Sequence, residues 1–206
     1  MTETGKAYHT KMPMENVIAK RFKESVEVKN RFLKENLSKL IEVVKLIAQA
    51  FEAGNKIFFF GNGGSAADAQ HLAAEFVNRY VIDRPSLPAI ALTTDSSILT
   101  SIANDMAFTE IFARQLRGLG REGDVAIGIT TSGTSPNIIK AFEVAREMGI
   151  KTVALTGNDG GVAAKVADYC LVVSSTSTPR IQEAHILIGH VLCEMVEHQL
   201  FLKLAP

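Results

Sequence analysis

Five short apolar runs alternate with helix-like segments along this chain, and this alternation constrains the fold more than any other feature. The runs predict strands at residues 56–60, 88–93, 124–130, 151–156 and 169–173. The segments between and around them predict helices at 14–53, 65–81, 96–117, 135–148, 160–166 and 179–202. Because the predicted strands do not alternate apolar with polar residues, both faces of their sheet should be covered. The sequence therefore predicts an α/β fold with a parallel sheet between helices.

Length and charge narrow the class of protein. A chain of 206 residues has the length of one domain. We expect a flexible N-terminus at 1–13 and a single domain at 14–206 that includes the N-terminal helical extension, 14–53. The 22 basic and 22 acidic residues give a formal net charge of zero, which argues against a nonspecific nucleic-acid or membrane surface. No apolar stretch of about 18 residues occurs and the N-terminus lacks an apolar signal core, so we expect a cytoplasmic protein.

The segment KIFFFGNGGSAADAQHLAAE at 56–75 contains the first candidate site. An apolar strand ends in the turn Gly61-Asn62-Gly63-Gly64, and Ser65 is predicted to open a helix. Backbone N–H groups and the helix dipole converge at such a turn, which favours binding of an anion. His71 and Glu75 follow on the same helix at i,i+4 spacing, so they share one face. The combination indicates an enzyme that acts on a phosphorylated small molecule.

A second cluster follows the predicted strand at 124–130. Its sequence, Thr130-Thr131-Ser132-Gly133-Thr134-Ser135-Pro136, supplies five hydroxyl groups besides a favourable helix start, with Ser135 as N-cap and Pro136 after it. Closely spaced hydroxyl and N–H groups can surround phosphate oxygens without a basic residue. The alternative is a turn whose hydroxyls only cap the helix. The next glycine-rich turn, 157–161, is predicted to be structural.

The final helix carries the third cluster. Three of the five histidines of the chain lie on it: His185, His190 and His198. Gln182 and His190 lie about 80° apart around a helix, close enough to line one pocket. They could therefore converge with His71 and Glu75 on one metal ion, although packed polar residues would produce the same pattern. His185 points elsewhere and is expected to be packed.

Four motifs together resemble the phosphoheptose isomerases of the sugar-isomerase (SIS) superfamily: GNGGSAADAQHLAAEF, the Asn104-Asp105 pair, TTSGTS and RIQEAHILIGH. The resemblance spans about residues 16–202. It implies a three-layer α/β/α fold with a five-stranded parallel sheet, a homotetramer, and one zinc ion per subunit. It also implies conversion of a phosphorylated seven-carbon sugar, sedoheptulose 7-phosphate, to D-glycero-D-manno-heptose 7-phosphate, the first step toward the heptose of bacterial lipopolysaccharide.

The resemblance also implies roles for individual residues. The zinc ligands would be His71, Glu75, Gln182 and His190, with Glu75 and His190 also the catalytic acid/base pair. The implied substrate-binding residues are Asn62, Gly63, Gly64, Ser65, Glu75, Asn104, Asp105, Thr130, Thr131, Ser132, Ser135 and Gln182. Two positions depart from the family pattern: Thr130 stands where Ser is common, and Pro179 where an acidic residue is frequent.

Three other functions are compatible with parts of the sequence. Gly61-x-Gly63-x-x-Ala66 matches a dinucleotide fingerprint, but its acidic partner should end the second strand, whereas Asp83 precedes that strand. The second is a non-catalytic phosphosugar-binding protein of the DnaA-initiator-associating type, which regulates replication. That relative lacks the catalytic carboxylate and the final-helix histidine, and this chain has both, as Glu75 and His190. A sugar-phosphate-sensing regulatory module is a further possibility, although no DNA-binding segment is attached.

Overall fold

A computed structural model describes residues 13–202. Its strands are β1 (Ile57–Gly61), β2 (Ala89–Ala91), β3 (Val125–Thr130), β4 (Lys151–Gly157) and β5 (Tyr169–Val173). Its α-helices are α1 (Met14–Glu52), α2 (Gly64–Val77), α3 (Ser96–Asp105), α4 (Ile111–Leu119), α5 (Pro136–Glu147), α6 (Ala163–Val166) and α7 (Thr178–Glu197). A 3-10 turn at Phe108–Glu110 joins α3 to α4, and a π-helical turn at His198–Leu202 extends α7. Only Pro13 of the predicted flexible N-terminus, and none of 203–206, falls within the described residues.

The five strands form one parallel sheet in the order β2-β1-β3-β4-β5. Every residue of β1 and β3 is buried. Successive side chains of a strand point to opposite faces, so an uninterrupted apolar run can feed two cores. Ile57 and Phe59 pack in one core, and Phe58 and Phe60 pack in the other. This confirms the predicted three-layer α/β/α architecture.

Different helices cover the two faces of the sheet. The core of Ile57 and Phe59 also contains buried residues of α1, α2 and α7. The core of Phe58 and Phe60 contains residues of α4 and α5, including Phe112 and Phe142, whose rings lie 5.3 and 5.7 Å from that of Phe60. No helix among residues 13–202 is long and apolar enough to span a bilayer.

Three predicted helices have different bounds in the structure. The helix expected at 96–117 is two helices, because Ala107 is extended and reorients the chain so that α4 buries Ile111 and Phe112 while α3 has no buried residue. The helix expected at 65–81 ends at Val77. The one expected at 160–166 is short because Gly160 and Gly161 adopt positive φ angles of 90° and 56°.

Candidate active site

The candidate site lies at the edge of the sheet where the parallel strands end. Gly61 of β1 pairs with Ile129 of β3, so the turn after β1 and the loop after β3 begin side by side. Thr130 pairs in turn with Thr156 of β4. Ligands of open parallel sheets bind in the crevice outside this edge. The first two predicted clusters therefore occupy the expected place.

The glycines of the turn after β1 allow close approaches that other residues would block. A Cβ atom on Gly61 would lie 2.7 Å from the carbonyl oxygen of Ser65, and one on Gly64 would lie 2.6 Å from Nε2 of Gln182. Gly63 has a φ of 56° and is the N-cap of α2, so α2 begins at Gly64 rather than at Ser65. Ser65 is buried in the first turn. The turn thus brings Gln182 of α7 against the N-terminus of α2.

A pair of amides joins this turn to α5. Asn62 Nδ2 donates to Asn137 Oδ1 at 3.0 Å, and Asn137 Nδ2 donates to Asn62 Oδ1 at 2.8 Å. Asn137 is only 2% exposed. Asn137 is not among the predicted site residues, because it lies 75 residues from its partner and no local pattern marks it. The pair fixes the position of the glycine turn relative to the hydroxyl loop.

The hydroxyl loop is organised around Thr130, which is buried. Its Oγ1 accepts a hydrogen bond from the N–H of Gly133 at 3.2 Å and lies 3.1 Å from Oγ of Ser135. Ser132 Oγ accepts from both the N–H and the hydroxyl of Thr134. Ser135 is the N-cap residue of α5, as predicted, but its side chain makes no capping hydrogen bond, so the expected side-chain cap is wrong. The hydroxyl turns instead toward Thr130 and lies among the other hydroxyls.

The turn at 157–161 packs against the hydroxyl loop and holds its backbone through hydrogen bonds. Gly133 has a φ of 69°, and a Cβ atom there would lie 2.2 Å from the carbonyl oxygen of Gly160. Asn158 Nδ2 donates to the Thr131 carbonyl at 3.1 Å, and the Ala163 N–H donates to the Gly133 carbonyl at 2.9 Å. These contacts agree with the structural role predicted for the turn.

The structure brings His71, Glu75 and His190 together. Nε2 of His71 lies 2.9 Å from Nε2 of His190 and 3.3 Å from Oε1 of Glu75. At 2.9 Å the two imidazole nitrogens share one hydrogen, so one ring donates and the other accepts. Helices α2 and α7 therefore place two hydrogen-bonded imidazoles and a nearby carboxylate in one cluster, in which both rings reach solvent in part.

The predicted metal ligands are neighbours but do not form a preformed cage. Gln182 Nε2 lies close to the backbone of Gly64. Among residues 13–202, no group of three or more His, Cys, Asp and Glu side chains is arranged to hold a metal ion. The hydrogen bond between the two imidazoles occupies the nitrogen atoms that a metal would bind. The predicted zinc ligands consequently stay a prediction.

The Asn104-Asp105 pair lies at the C-terminal end of α3, and both residues are exposed. Asn104 Nδ2 donates to Asp105 Oδ1 at 2.8 Å. Between α3 and the glycine turn is a cavity of about 180 Å³ lined in part by Asn62, Leu99 and Phe108. The roles predicted for Asn104 and Asp105 stay predictions, as do those of the other implied substrate-binding residues.

Two residues beside the histidines were missed by the sequence analysis. The ring of Tyr80 stacks on that of His190, with centroids 5.4 Å apart and planes at 25°. Asp68 lies one helical turn before His71, and burial raises its pKa although the charges of His71 and His190 act in the opposite direction. Asp68 lies on α2 and Tyr80 follows it. No local sequence pattern separates these two residues from other polar or aromatic residues of the surface.

The remaining conspicuous histidine of α7 is packed, as expected. His185 is fully buried, and its Nε2–H donates to the Thr156 carbonyl at 3.0 Å. Burial lowers its pKa from 6.5 to about 4, against the opposing effect of that hydrogen bond. His185 is therefore neutral at neutral pH.

Fold and site together define an open parallel α/β domain whose glycine turn and hydroxyl loop meet at the carboxyl edge of the sheet. The sequence pattern of the SIS domain family matches residues 21–157. The phosphoheptose isomerase of Thermodesulfovibrio yellowstonii is 54% identical over 190 residues, which cover 92% of this chain and 94% of that protein.

Two solved structures of phosphoheptose isomerases have the same fold. The one from Neisseria gonorrhoeae superposes with a TM-score of 0.85 at 42% identity, covering 89% of this chain and 98% of the other. The one from Francisella tularensis gives 0.87 at 36% identity, covering 91% and 100%. This chain belongs to the SIS domain family and, within it, to the phosphoheptose isomerases.

Proposed function

We propose that this chain interconverts sedoheptulose 7-phosphate and D-glycero-D-manno-heptose 7-phosphate, an aldose–ketose isomerisation at the start of bacterial heptose biosynthesis. The observation that carries the proposal is the cluster of His71, Glu75 and His190 on helices α2 and α7, joined by contacts of 2.9 and 3.3 Å. The names of its relatives support the same reaction. A phosphorylated ketose with a free carbonyl offers the groups that such a site could use.

Phosphate recognition is assigned to the hydroxyl loop and the first turn of α5. Ser132 and Ser135 present hydroxyl groups there, and neither side chain caps the helix. Hydroxyl and N–H groups at a helix N-terminus bind phosphate through charge-assisted hydrogen bonds. The amide pair of Asn62 and Asn137 holds the glycine turn against the same helix. The phosphate would then fix one end of the sugar while its carbonyl end reaches the histidines.

Proton transfer is assigned to Glu75 and His190. The isomerisation moves a proton between C1 and C2 and exchanges a carbonyl for a hydroxyl at those carbons. Glu75 is the base that carries the carbon-bound proton, and His190 the acid that serves the oxygens. Positioned acid/base groups of this kind each contribute about 10²–10⁴-fold to rate. The two groups come from different helices and meet through His71.

A zinc ion bound by His71, Glu75, Gln182 and His190 is part of the proposal. The donor types fit, because imidazole and carboxylate are common zinc ligands, but the hydrogen-bonded rings would have to rearrange to hold the ion. A bound zinc would supply positive charge beside the reacting oxygens. The test is exhaustive chelation followed by measurement of the zinc content and the activity. Full activity in protein whose zinc content is near zero would exclude the metal.

The assembly and location are also proposals. Helix α1 presents exposed apolar residues, among them Phe22 at 74% and Val26 at 56% exposure. An apolar helix face needs a partner, and closed symmetric assemblies of identical chains commonly supply it. We therefore assign a homotetramer in which residues 14–206 form one SIS domain per subunit. We place the protein in the cytoplasm, where its sugar-phosphate substrate would be made.

A non-catalytic phosphosugar-binding protein is the competing function. It would use the same hydroxyl loop but would need no adjoining acid and base. The proximity of Glu75 to the histidine pair favours the enzyme.

The test is to incubate the protein with sedoheptulose 7-phosphate labelled with ¹³C at C2 and follow the carbon spectrum. The isomerase converts the C2 signal of the ketose, mostly that of its cyclic hemiketal, to that of a secondary carbinol beside the new aldehyde or hemiacetal carbon. Saturable binding without any change of the labelled signal would instead establish the non-catalytic function.

A further inference from the structure

A buried carboxylate at the end of α7 organises the segment that follows α2. Glu197 Oε1 accepts the N–H of Tyr80 at 2.8 Å, and Oε2 accepts those of Val81 and Ile82 at 2.9 and 3.2 Å. The side chain is 0% exposed. Burial raises the pKa of Glu197, but these backbone bonds and the bond from Arg84 outweigh it and lower the pKa below its usual range. The carboxylate thus accepts hydrogen bonds from three consecutive backbone N–H groups, as a bound anion does in a backbone nest. Because these N–H groups bond to Glu197 and not to carbonyls of α2, the helix stops at Val77.

Arg84 completes the arrangement from the other side. Its side chain is 1% exposed, and Nε donates to Glu197 Oε1 at 2.8 Å. Nη1 donates to the carbonyl of Phe76 at 2.8 Å, and Nη2 to that of Glu75 at 2.9 Å. The last carbonyls of a helix have no partner within the helix. Arg84 supplies that partner at the turn of α2 that carries the proposed base.

Tyr80 connects the Glu197–Arg84 network to the histidine cluster. The Tyr80 N–H is held by Glu197, and the Tyr80 ring stacks on His190 at 5.4 Å. His190 and Glu197 are seven residues apart on α7, so they lie on the same face of that helix, about 10 Å apart along its axis. Helix α7 therefore positions the ring that stacks on its own histidine, through a residue 117 positions away in sequence.

We propose that Arg84 and Glu197 are positioning residues, which fix Tyr80 against the His190 imidazole and secure the end of α2 that bears Glu75. The expected effect on kcat rests on the proposed function, whereas the expected effect on the position of the Tyr80 ring does not. Neither residue is assigned a contact with the sugar. Stability alone explains the pair poorly, since a buried ion pair adds little over apolar residues of the same shape. An apolar pair could not gather three consecutive N–H groups.

The first experiment removes the ring and leaves the ion pair intact. Tyr80→Leu keeps the backbone N–H that Glu197 accepts, whereas Tyr80→Phe keeps the ring as well. We expect Tyr80→Leu to lower kcat about tenfold or more with KM within about twofold, because misplacement of a catalytic group costs rate rather than phosphate binding. Tyr80→Phe should restore kcat to within about twofold of the wild-type value.

An NMR measurement tests the same contact without using activity. The stacked Tyr80 ring shifts the ring-proton resonances of His190, which can be assigned in protein with labelled histidine by comparison with His190→Gln. We expect that shift in wild type and Tyr80→Phe, and its loss in Tyr80→Leu. The spectrum reports the positioning even if the substrate proves to be another sugar, so failure of the proposed function and failure of this inference are distinguishable.

The second experiment weakens the carboxylate, with a matched control. Glu197→Gln should lower kcat about tenfold and move the His190 resonance toward its position in Tyr80→Leu. Asp124→Asn is the control, because Asp124 is also buried and accepts backbone N–H groups and the Lys56 ammonium, but its partners are Lys56 and Arg121 rather than the loop that carries Tyr80. Both variants should lose stability, and only Glu197→Gln should lose kcat per folded subunit.

Two results would overturn the inference. One is a His190 resonance and kcat in Tyr80→Leu equal to those of wild type. The other is an equal effect of Glu197→Gln and Asp124→Asn on kcat per folded subunit, which would make the pair merely structural. If Glu197→Gln does not fold, Arg84→Lys, which keeps the positive charge but loses the fork that reaches the Phe76 and Glu75 carbonyls, takes its place with the same expected result.

Discussion

Glu75 belongs to α2 and His190 to α7, and Nε2 of His71 lies between them, at 3.3 Å from Oε1 of Glu75 and 2.9 Å from Nε2 of His190. We expect Glu75→Gln and His190→Gln each to lower kcat by at least about 10²-fold, since each removes a proton-transfer group. Circular dichroism should show an intact fold. His198→Gln is the control, because His198 begins the π-helical turn after α7 and has no assigned role. Near-normal activity in either site variant would refute the role assigned to it.

The hydroxyl loop gives a prediction about binding rather than turnover. Ser132→Ala and Ser135→Ala should raise KM, because each removes a hydrogen bond to phosphate that is worth about 1.5–3 kcal/mol. Ser135→Ala should cost less than the roughly 1 kcal/mol of a lost N-cap, since the Ser135 side chain makes no capping bond. Inhibition constants for inorganic phosphate, measured beside Ser86→Ala as an exposed control, provide the check. Unchanged constants in both loop variants would mean that the anion binds elsewhere.

At the scale of the helix, burial of His185 in α7 links stability to pH. The unfolded side chain titrates near 6.5 and the folded one at about 4. Between these values the unfolded chain binds more protons, so the free energy of unfolding falls as the pH is lowered from 6.5 toward 4, by up to about 1.4 kcal/mol per pH unit. Urea unfolding of wild type and His185→Gln, which can still donate to Thr156, should show a shallower fall in the variant. Identical slopes would mean that His185 does not contribute.

The helices and strands also show what local sequence can and cannot specify. The apolar runs predict all five strands to within a few residues, because burial on both faces leaves a plain local signal. The end of α2 was not predictable, since it depends on Glu197, more than 110 residues away. The site shows the same contrast between local and long-range determinants. Local patterns predict the glycine turn after Gly61, the hydroxyl loop from Thr130, and the i,i+4 pair of His71 and Glu75. The partners Asn137 and Tyr80 are defined only by long-range contacts.

At the scale of the whole molecule, the apolar face of α1 predicts the assembly. Sedimentation should give a mass near four times the 22.3 kDa of one chain. Phe22→Glu combined with Val26→Glu should yield smaller species, because a charge buried in an apolar interface is costly. Lys34→Glu is the control, since it changes an exposed charged residue on the same helix. A fully active wild-type monomer at micromolar concentration would contradict the tetramer.

The most direct test of the central claim is to approach the reaction from both sides. Wild-type protein is given sedoheptulose 7-phosphate in one sample and D-glycero-D-manno-heptose 7-phosphate in another, and the two sugars are quantified over time. An aldose–ketose isomerase brings both samples to the same ratio, and Glu75→Gln approaches that ratio at least about 10²-fold more slowly. If both sugars persist unchanged with wild-type protein that binds them, the chain is not this isomerase.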